Sequence, residues 1–324
     1  MATALALSRT QDAGDDAAPS ASTGVPRHLL MYPDIGKGYQ WRGMVPFILI
    51  HLLSLGAIWS GVTWQSVVVC VALYWIRMFG TTSTYHRYFS HRTFKTSRFM
   101  QFCLAFLAMT SSQKGVLWWA SHHRHHHKYS DTEFDIHSPK QKGFWYSHFL
   151  WIYDHTSGTD FDGIKDFARF PELVFLDKYW LLPPIVLGVA VFLIWGWAGL
   201  FIGYFLSTAI LWHGTFTINS LSHVFGNRRY VTTDTSKNNW LLAIITMGEG
   251  WHNNHHHYCS STRQGFFWWE FDMTYYILKV MSWCGLVWDL REPPASLLEV
   301  GKVGGAPVAI PAEMVIPVEP ASAA

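Results

Sequence analysis

Residues 179–227 read YWLLPPIVLGVAVFLIWGWAGLFIGYFLSTAILWHGTFTINSLSHVFGN, and none of these 49 positions carries Asp, Glu, Lys or Arg. The hydrocarbon core of a bilayer takes roughly 20 apolar residues of helix to cross. The run is long enough for two crossings, and Gly196-Trp-Ala-Gly199 interrupts it near the middle. Pro183 and Pro184 suit the first turn of the earlier crossing, where a missing N–H costs little. Upstream, the 34 residues from Gly43 to Ile76 are also uncharged and break near Gly61 to Gln65. The two runs predict two tight helical hairpins, with spans at about 44–62, 66–85, 181–197 and 199–219.

Composition agrees with a membrane protein. Half of the residues are hydrophobic and only 14% are charged, where a soluble domain carries roughly 25%. A formal charge of +2, with no basic stripe interleaved with aromatics, excludes nucleic acid as a partner. Cys70, Cys103, Cys259 and Cys284 have no C-x-x-C spacing, which argues against a disulfide framework and a thiolate metal site. The start, MATALALSRT, has no basic region ahead of a long apolar stretch and does not read as a cleaved signal peptide. The polar first segment, 1–36, has too few large apolar side chains to offset the entropy of ordering it and is expected to be disordered. Residues 37–292 then read as one membrane domain and 293–324 as a poorly ordered, Pro- and Ala-rich tail.

Orientation follows from the loops. Both hairpin turns lack Lys and Arg, whereas the stretch from Tyr85 to Lys178 carries 12 of the chain's 24. Arg87, Arg92 and Lys95 follow one span, and Lys165, Arg169 and Lys178 precede the next. The positive-inside bias of such flanks places that stretch, and with it both termini, in the cytosol. Phe99 to Met109 and residues 273–290 are too short or too interrupted to span, and are expected on the membrane surface or inside the cytosolic part.

The chemistry lies in four histidine clusters on that side. Ser121 to Lys128 holds five histidines in six positions. An H-x-x-H-H pattern puts three imidazoles on one helix face, and two registers satisfy it here: His122, His125 and His126, or His123, His126 and His127. Helical geometry does not choose between them. His86 and His91 are five residues apart, 140° off one face of an ideal helix, so they need a helix end or a turn rather than a regular helix. Asn219 and His223 share a face at i, i+4. His252, His255 and His256 repeat the trio pattern, with His257 left outside it. Nine imidazoles exceed the coordination of one ion, since tetrahedral zinc takes four ligands. Two metals with four or five imidazoles each leave positions open, an arrangement suited to iron and oxygen chemistry. His28, His51, His137, His148, His155 and His213 stand alone and read as structural. A metal transporter would place its ligands near the bilayer midplane, and here the clusters lie at or beyond one end.

HRYFSH, HRHHHKYSD, NSLSHVFG and GEGWHNNHHH resemble the histidine boxes of membrane fatty-acyl desaturases, of the acyl-CoA delta-nine (stearoyl-CoA) type and its bacterial relatives, over about residues 40–292. The resemblance implies an all-α integral membrane protein, with four transmembrane helices in two hairpins under a helical cytosolic cap that carries a di-iron site. It implies two Fe2+ ions bound by His86, His91, His123, His126, His127, His223, His252, His255 and His256, with Asn219 joining through a water. It also sets the first trio's register, because the family's trio ends just before Lys-aromatic-Ser-acid, here Lys128-Tyr129-Ser130-Asp131. Glu249 and Asp135 stand where the family has a carboxylate beside its boxes and are expected to orient imidazole N–H groups. The implied reaction takes dioxygen and two electrons, removes two hydrogens from a saturated acyl chain, and leaves a cis double bond, at the delta-nine position, and water.

The resemblance further implies a bacterial inner-membrane enzyme with a cytosolic active site, fed by a separate ferredoxin, rubredoxin or small cytochrome with its reductase. Lys142 matches a basic residue of the family's carrier-binding region, and Lys142 and Trp119 are the expected substrate contacts. Animal members carry Arg two residues before the first trio, where this chain has Ser121, so acyl-CoA, acyl carrier protein and acyl-lipid all stay open as donors. The alternative within the same chemistry is a histidine-box hydroxylase or ketolase, separated by its product, an alcohol or ketone instead of an alkene.

Overall fold

Helices dominate the computed structural model, which describes Tyr39, residues 41–154 and residues 158–302. The segment 1–36, His28 and His155 lie outside the described residues, as do positions 303–324 of the expected tail. Three stretches are long and apolar enough to cross a membrane: Gly43–Ser60, Trp64–Ser90 and Leu182–Val224. Their outer surfaces are greasy and uncovered, with Ile58 at 86% exposure and Leu193 at 75%. A soluble protein rarely shows so continuous an apolar face, and a bilayer is the solvent that suits it.

The last stretch is 43 residues long, about twice what the hydrocarbon core needs. It is divided by Gly196, whose φ of 62° and ψ of −155° are not helical. Only glycine enters that region of backbone space without strain. On either side of it, Val191 and Tyr204 are buried in one cluster with Val69, so the arms before and after Gly196 pack against one another and against helix Trp64–Phe79. Pro183 and Pro184 do fall in the first turn of Leu182–Ala198. Helix Trp64–Phe79 opens on a capping box in which Thr63 and Ser66 satisfy each other's backbone N–H groups. Arg77, the first charge after the upstream run, is fully buried and spends its guanidinium on Thr208, Ser207 and the Leu73 carbonyl.

The second stretch does not end near residue 85. It continues without a break as a π-helix from Gly80 to Ser90, all eleven residues buried. Helix Arg98–Met109 packs along it, so close at Gly80 that a Cβ there would lie 3.1 Å from the Ala108 Cα. The expected surface or interior helix over Phe99–Met109 is thus an interior one, burying Leu104, Ala105, Ala108 and Met109 while Phe99 points out. Residues 95–96 and 287–288 form a two-stranded antiparallel pair, Lys95 opposite Trp288 and Thr96 opposite Val287. The expectation of an unordered tail from Pro293 needs correcting over its first residues: Ala295–Lys302 is helical, because Leu297 finds a buried site beside Tyr230, Phe266 and Phe267.

Candidate metal centre and adjoining cavity

The π-turn explains the HRYFSH spacing. The His91 N–H donates to the His86 carbonyl at 3.2 Å, an i→i+5 bond that widens the turn. The two rings, which a regular helix would splay apart, come within 4.9 Å of each other. Helix Val116–Tyr129 brings His123, His126 and His127 from a second direction. Helix Ser207–Val224 contributes His223 near its end, and the short helix His252–His257 contributes the rest.

Two groups of nitrogen atoms result. His86, His91, His123, His127 and His255 offer ring nitrogens all within 4.8 Å of one another, and so do His126, His223, His252 and His256. The groups adjoin, since the rings of His127 and His256 stack at 4.4 Å. His122 and His125 belong to neither group. The first turns its Nδ1 to the Trp118 carbonyl and the second its Nε2 to the Phe134 carbonyl. His257 likewise faces outward, its Nδ1 on the Val231 carbonyl. Asn219 lines a cavity beside the centre.

Carboxylates hold the outer edges of the rings. His126 Nδ1 lies 2.9 Å from Asp135 Oδ1, His256 Nδ1 lies 2.6 Å from Asp234 Oδ2, and His86 Nδ1 contacts Glu249. Glu249 is held in turn by Arg87, which also pairs with Asp272 and donates to the Thr262 carbonyl. Burial opposes ionisation of these acids, yet His126 and His256 keep Asp135 and Asp234 well below the usual carboxylate range. His86 and Arg87 also lower Glu249 against the opposing effect of its burial. A ring that donates from Nδ1 to a carboxylate carries a bare lone pair at Nε2. Burial, reinforced by neighbouring imidazoles, also pushes His91, His123, His127, His252 and His255 far below the usual histidine range, so they are neutral.

Ring nitrogens crowded edge to edge are an arrangement that a cation can bind. His86 and His255 meet Nε2 to Nε2 at 2.9 Å, His91 and His123 at 3.0 Å, and His223 and His252 at 3.1 Å. His256 Nε2 is buried and has no hydrogen-bond partner. The donor set of clustered imidazoles, five of them held neutral by burial, with ionised outer partners therefore fits a pair of divalent transition-metal ions.

A cavity of about 490 Å³ reaches this centre at His123 and Asn219 and runs between the membrane helices to Gly188, Tyr204 and Phe205. Its wall is mostly aromatic and aliphatic. Trp119, an expected substrate contact, is on that wall and stacks on His123 at 4.8 Å. Lys142 is not; its ammonium sits on the Tyr146 hydroxyl, which is bonded to Asp154. The expected carrier contact at Lys142 is therefore not brought to the cavity.

A family model for fatty acid desaturases matches residues 62–281. This chain belongs to the fatty acid desaturase family. It is accordingly an oxidoreductase acting on fatty-acyl groups. The desaturase is 36% identical over 271 residues to an sn-2 palmitoyl-lipid 9-desaturase of Nostoc sp. (strain 36), covering 81% of this chain and 94% of that one. It is 37% identical over 256 residues to an sn-1 stearoyl-lipid 9-desaturase of Anabaena variabilis, covering 78% and 94%. An acyl-CoA C20 Delta5-desaturase of Anemone leveillei is 36% identical over 256 residues, covering 75% and 79%.

Several residues of the desaturase's centre were missed by sequence reasoning. Asp131 accepts from Thr235 and lies 3.5 Å from His223 Nδ1. Gln264 stands beside the Nδ1 atoms of His86 and His255. His137, read as structural, packs against His126 with ring centroids 4.1 Å apart and forms a third close group with His126 and Asp135. Asp131 closes the HRHHHKYSD run and could have been found there. Asp234, Gln264 and His137 carry no local signal, because only the folded loops bring them in.

Proposed function

We propose that the two imidazole groups hold two iron ions, five ligands at one and four at the other, with Asn219 reaching the second through a water. The observation carrying this reading is the pairing of Nε2 atoms at about 3 Å in two adjoining groups, with carboxylates backing rings at the outer edge of each. When bound, the irons supply the oxidising power that an unactivated C–H bond demands, drawn from dioxygen and two electrons. The protein does the rest. Asp135, Asp234 and Glu249 fix the ring orientations, Trp119 braces His123 beside the cavity, and the apolar wall keeps a saturated chain aligned and water out.

The reaction proposed is insertion of a cis double bond, delta-nine, into a saturated chain carried on a lipid or on CoA. The 9-desaturase names of two relatives support that position, and the Delta5 relative shows that the family varies it. Electrons come from a separate iron–sulfur or small haem carrier. We place the chain in a bacterial inner membrane with four spans, Gly196 being the turn of the second hairpin, and with the histidines and both termini cytosolic. Cysteines introduced at Val62 and Trp197 should react with an impermeant maleimide from outside intact cells, and one at Ser296 should not.

The deciding experiment expresses the chain in a host of known fatty-acid composition, together with a reductase and carrier. A new cis alkene located by mass spectrometry, with about two irons per purified chain, supports the reading. Zinc alone in active protein, or an alcohol as sole product, overturns it.

A further inference from the structure

One lysine, Lys114, stands on the cavity wall, and it is the single Lys, Arg, Asp or Glu among the lining residues described. Its ammonium lies over the rings of Trp118 and Trp180, 5.9 Å and 5.0 Å from their centroids. Among the described residues no carboxylate lies within ion-pair distance of it. Asp177, an acid packed against this turn, is already taken, accepting from the N–H groups of Leu117 and Trp118 at 3.0 Å each and from Thr159. Gly115 permits this, since a Cβ there would sit 1.9 Å from Asp177 Oδ1. The Lys114 carbonyl is anchored separately, by the Tyr85 hydroxyl at 2.6 Å.

Lys114 also begins a track. Lys114, in the turn just before helix Val116–Tyr129, lines the cavity together with Trp118, Trp119, His122 and His123, and those last four have the spacing that puts side chains along one face of a helix. The seven helical steps from Val116 to His123 advance roughly 10 Å. An amine without a counter-charge at one end of the track and a candidate ligand at the other define a direction for an amphiphile. Trp180 and Leu181 adjoin the first residues of the span Leu182–Ala198, so the amine lies at the level where a bilayer's headgroups begin.

We propose that Lys114 is the head-group anchor of the acyl substrate, its ammonium binding a phosphate near the acyl ester while the chain runs along Trp118 and Trp119 to His123. This rests on the desaturase reading above and names the donor for the same site. The double bond is then placed by distance from the head, and the donor carries an anion. A compact ammonium binds phosphate as a point charge. The phosphate comes either from a membrane glycerophospholipid or from CoA.

The test uses the full chain in nanodiscs with its electron-donor system, supplied with phosphatidylglycerol, with uncharged monogalactosyldiacylglycerol, or with stearoyl-CoA. Lys114→Gln should raise KM for the preferred phosphate donor by about tenfold, the worth of one charge-assisted contact, with a smaller change in kcat, and should spread the double bond over neighbouring positions. Lys114→Arg should recover most of the loss. Phosphatidylglycerol as the affected donor identifies a lipid headgroup, and stearoyl-CoA identifies the soluble carrier. Should Lys114→Gln misfold, the unsubstituted protein still reports: an amine-reactive reagent should label Lys114 less in phosphatidylglycerol or with CoA ester than in galactolipid. Equal labelling in all three, or unchanged KM and bond position in Lys114→Gln, makes Lys114 an interfacial anchor and ends the proposal while leaving the desaturase reading intact. No alkene from the unsubstituted protein with any donor would instead count against that reading.

Discussion

The backbone N–H of His91 donates to the carbonyl of His86, five residues earlier, at 3.2 Å. That single wide turn converts an awkward spacing into two rings that serve one nitrogen group. Inserting an alanine after Ser90 lengthens the spacing to six and turns His91 away from His86 by roughly 100°. The lengthened chain should still insert and show normal helical circular dichroism, but bind about one metal fewer. Full metal content in the insertion variant would show that this register is dispensable.

The outer carboxylates should matter nearly as much as the ligands. Asp135→Asn and Asp234→Asn keep size but remove the charge that fixes the tautomer of His126 and His256. Losses of roughly 10- to 100-fold in metal affinity are typical of such changes. Competition with a chelator of known affinity measures this directly, and the metal facing His126 and His256 should be the one lost.

How much of this is legible in the sequence depends on whether the information is local. The uncharged runs and the glycine at 196 are local, and they locate the apolar stretches, although the continuous passage from Trp64 to Ser90 is not visible because a π-helix has no pattern of its own. The histidine clusters are local as well. Their division into two groups is not: His127 and His126 are chain neighbours that serve different groups, which depends on how helix 116–129 sits between 80–90 and 252–257. Asp234 and Gln264 arrive on loops remote from the histidines they hold, so no spacing announces them. Resemblance alone favours Lys142 over Lys114, and only the folded cavity separates the two lysines.

The trio's register is open to a clean comparison. His126→Ala and His127→Ala each remove a ring from a nitrogen group, whereas His125→Ala removes one bonded to the Phe134 carbonyl. The first two should lose detectable desaturation and metal. His125→Ala should retain most of both, with a stability loss of about 1 kcal/mol from the broken hydrogen bond. An inactive, metal-poor His125→Ala beside a working His127→Ala would reverse the assignment.

Metal-free protein should lose stability as pH falls, and the sign can be worked out. His91, His123, His127, His252 and His255 are neutral in the fold, with pKa values held far below the roughly 6.5 of an exposed histidine. Below that value the unfolded chain binds protons that the folded chain refuses, so each histidine costs up to about 1.4 kcal/mol of stability per pH unit. His126 acts in the opposite sense, because Asp135 overcomes burial and raises it; its contribution is present at low pH and lost as pH rises through its folded pKa. Asp131, Asp135, Asp234 and Glu249 are depressed, and their contributions survive until pH falls below about 4. The window from about pH 7.5 to about pH 5.5, which brackets the ordinary histidine value, thus isolates the histidines, and the lowered ones, to which His137 and His256 also belong, outnumber the raised His126. Chelator-treated protein in nanodiscs should show a denaturation midpoint that drops across this window, and His91→Gln should make the drop shallower by one histidine's share. A midpoint that stays flat across the same window would mean that the rings are solvated without metal and that the buried cluster forms only around it.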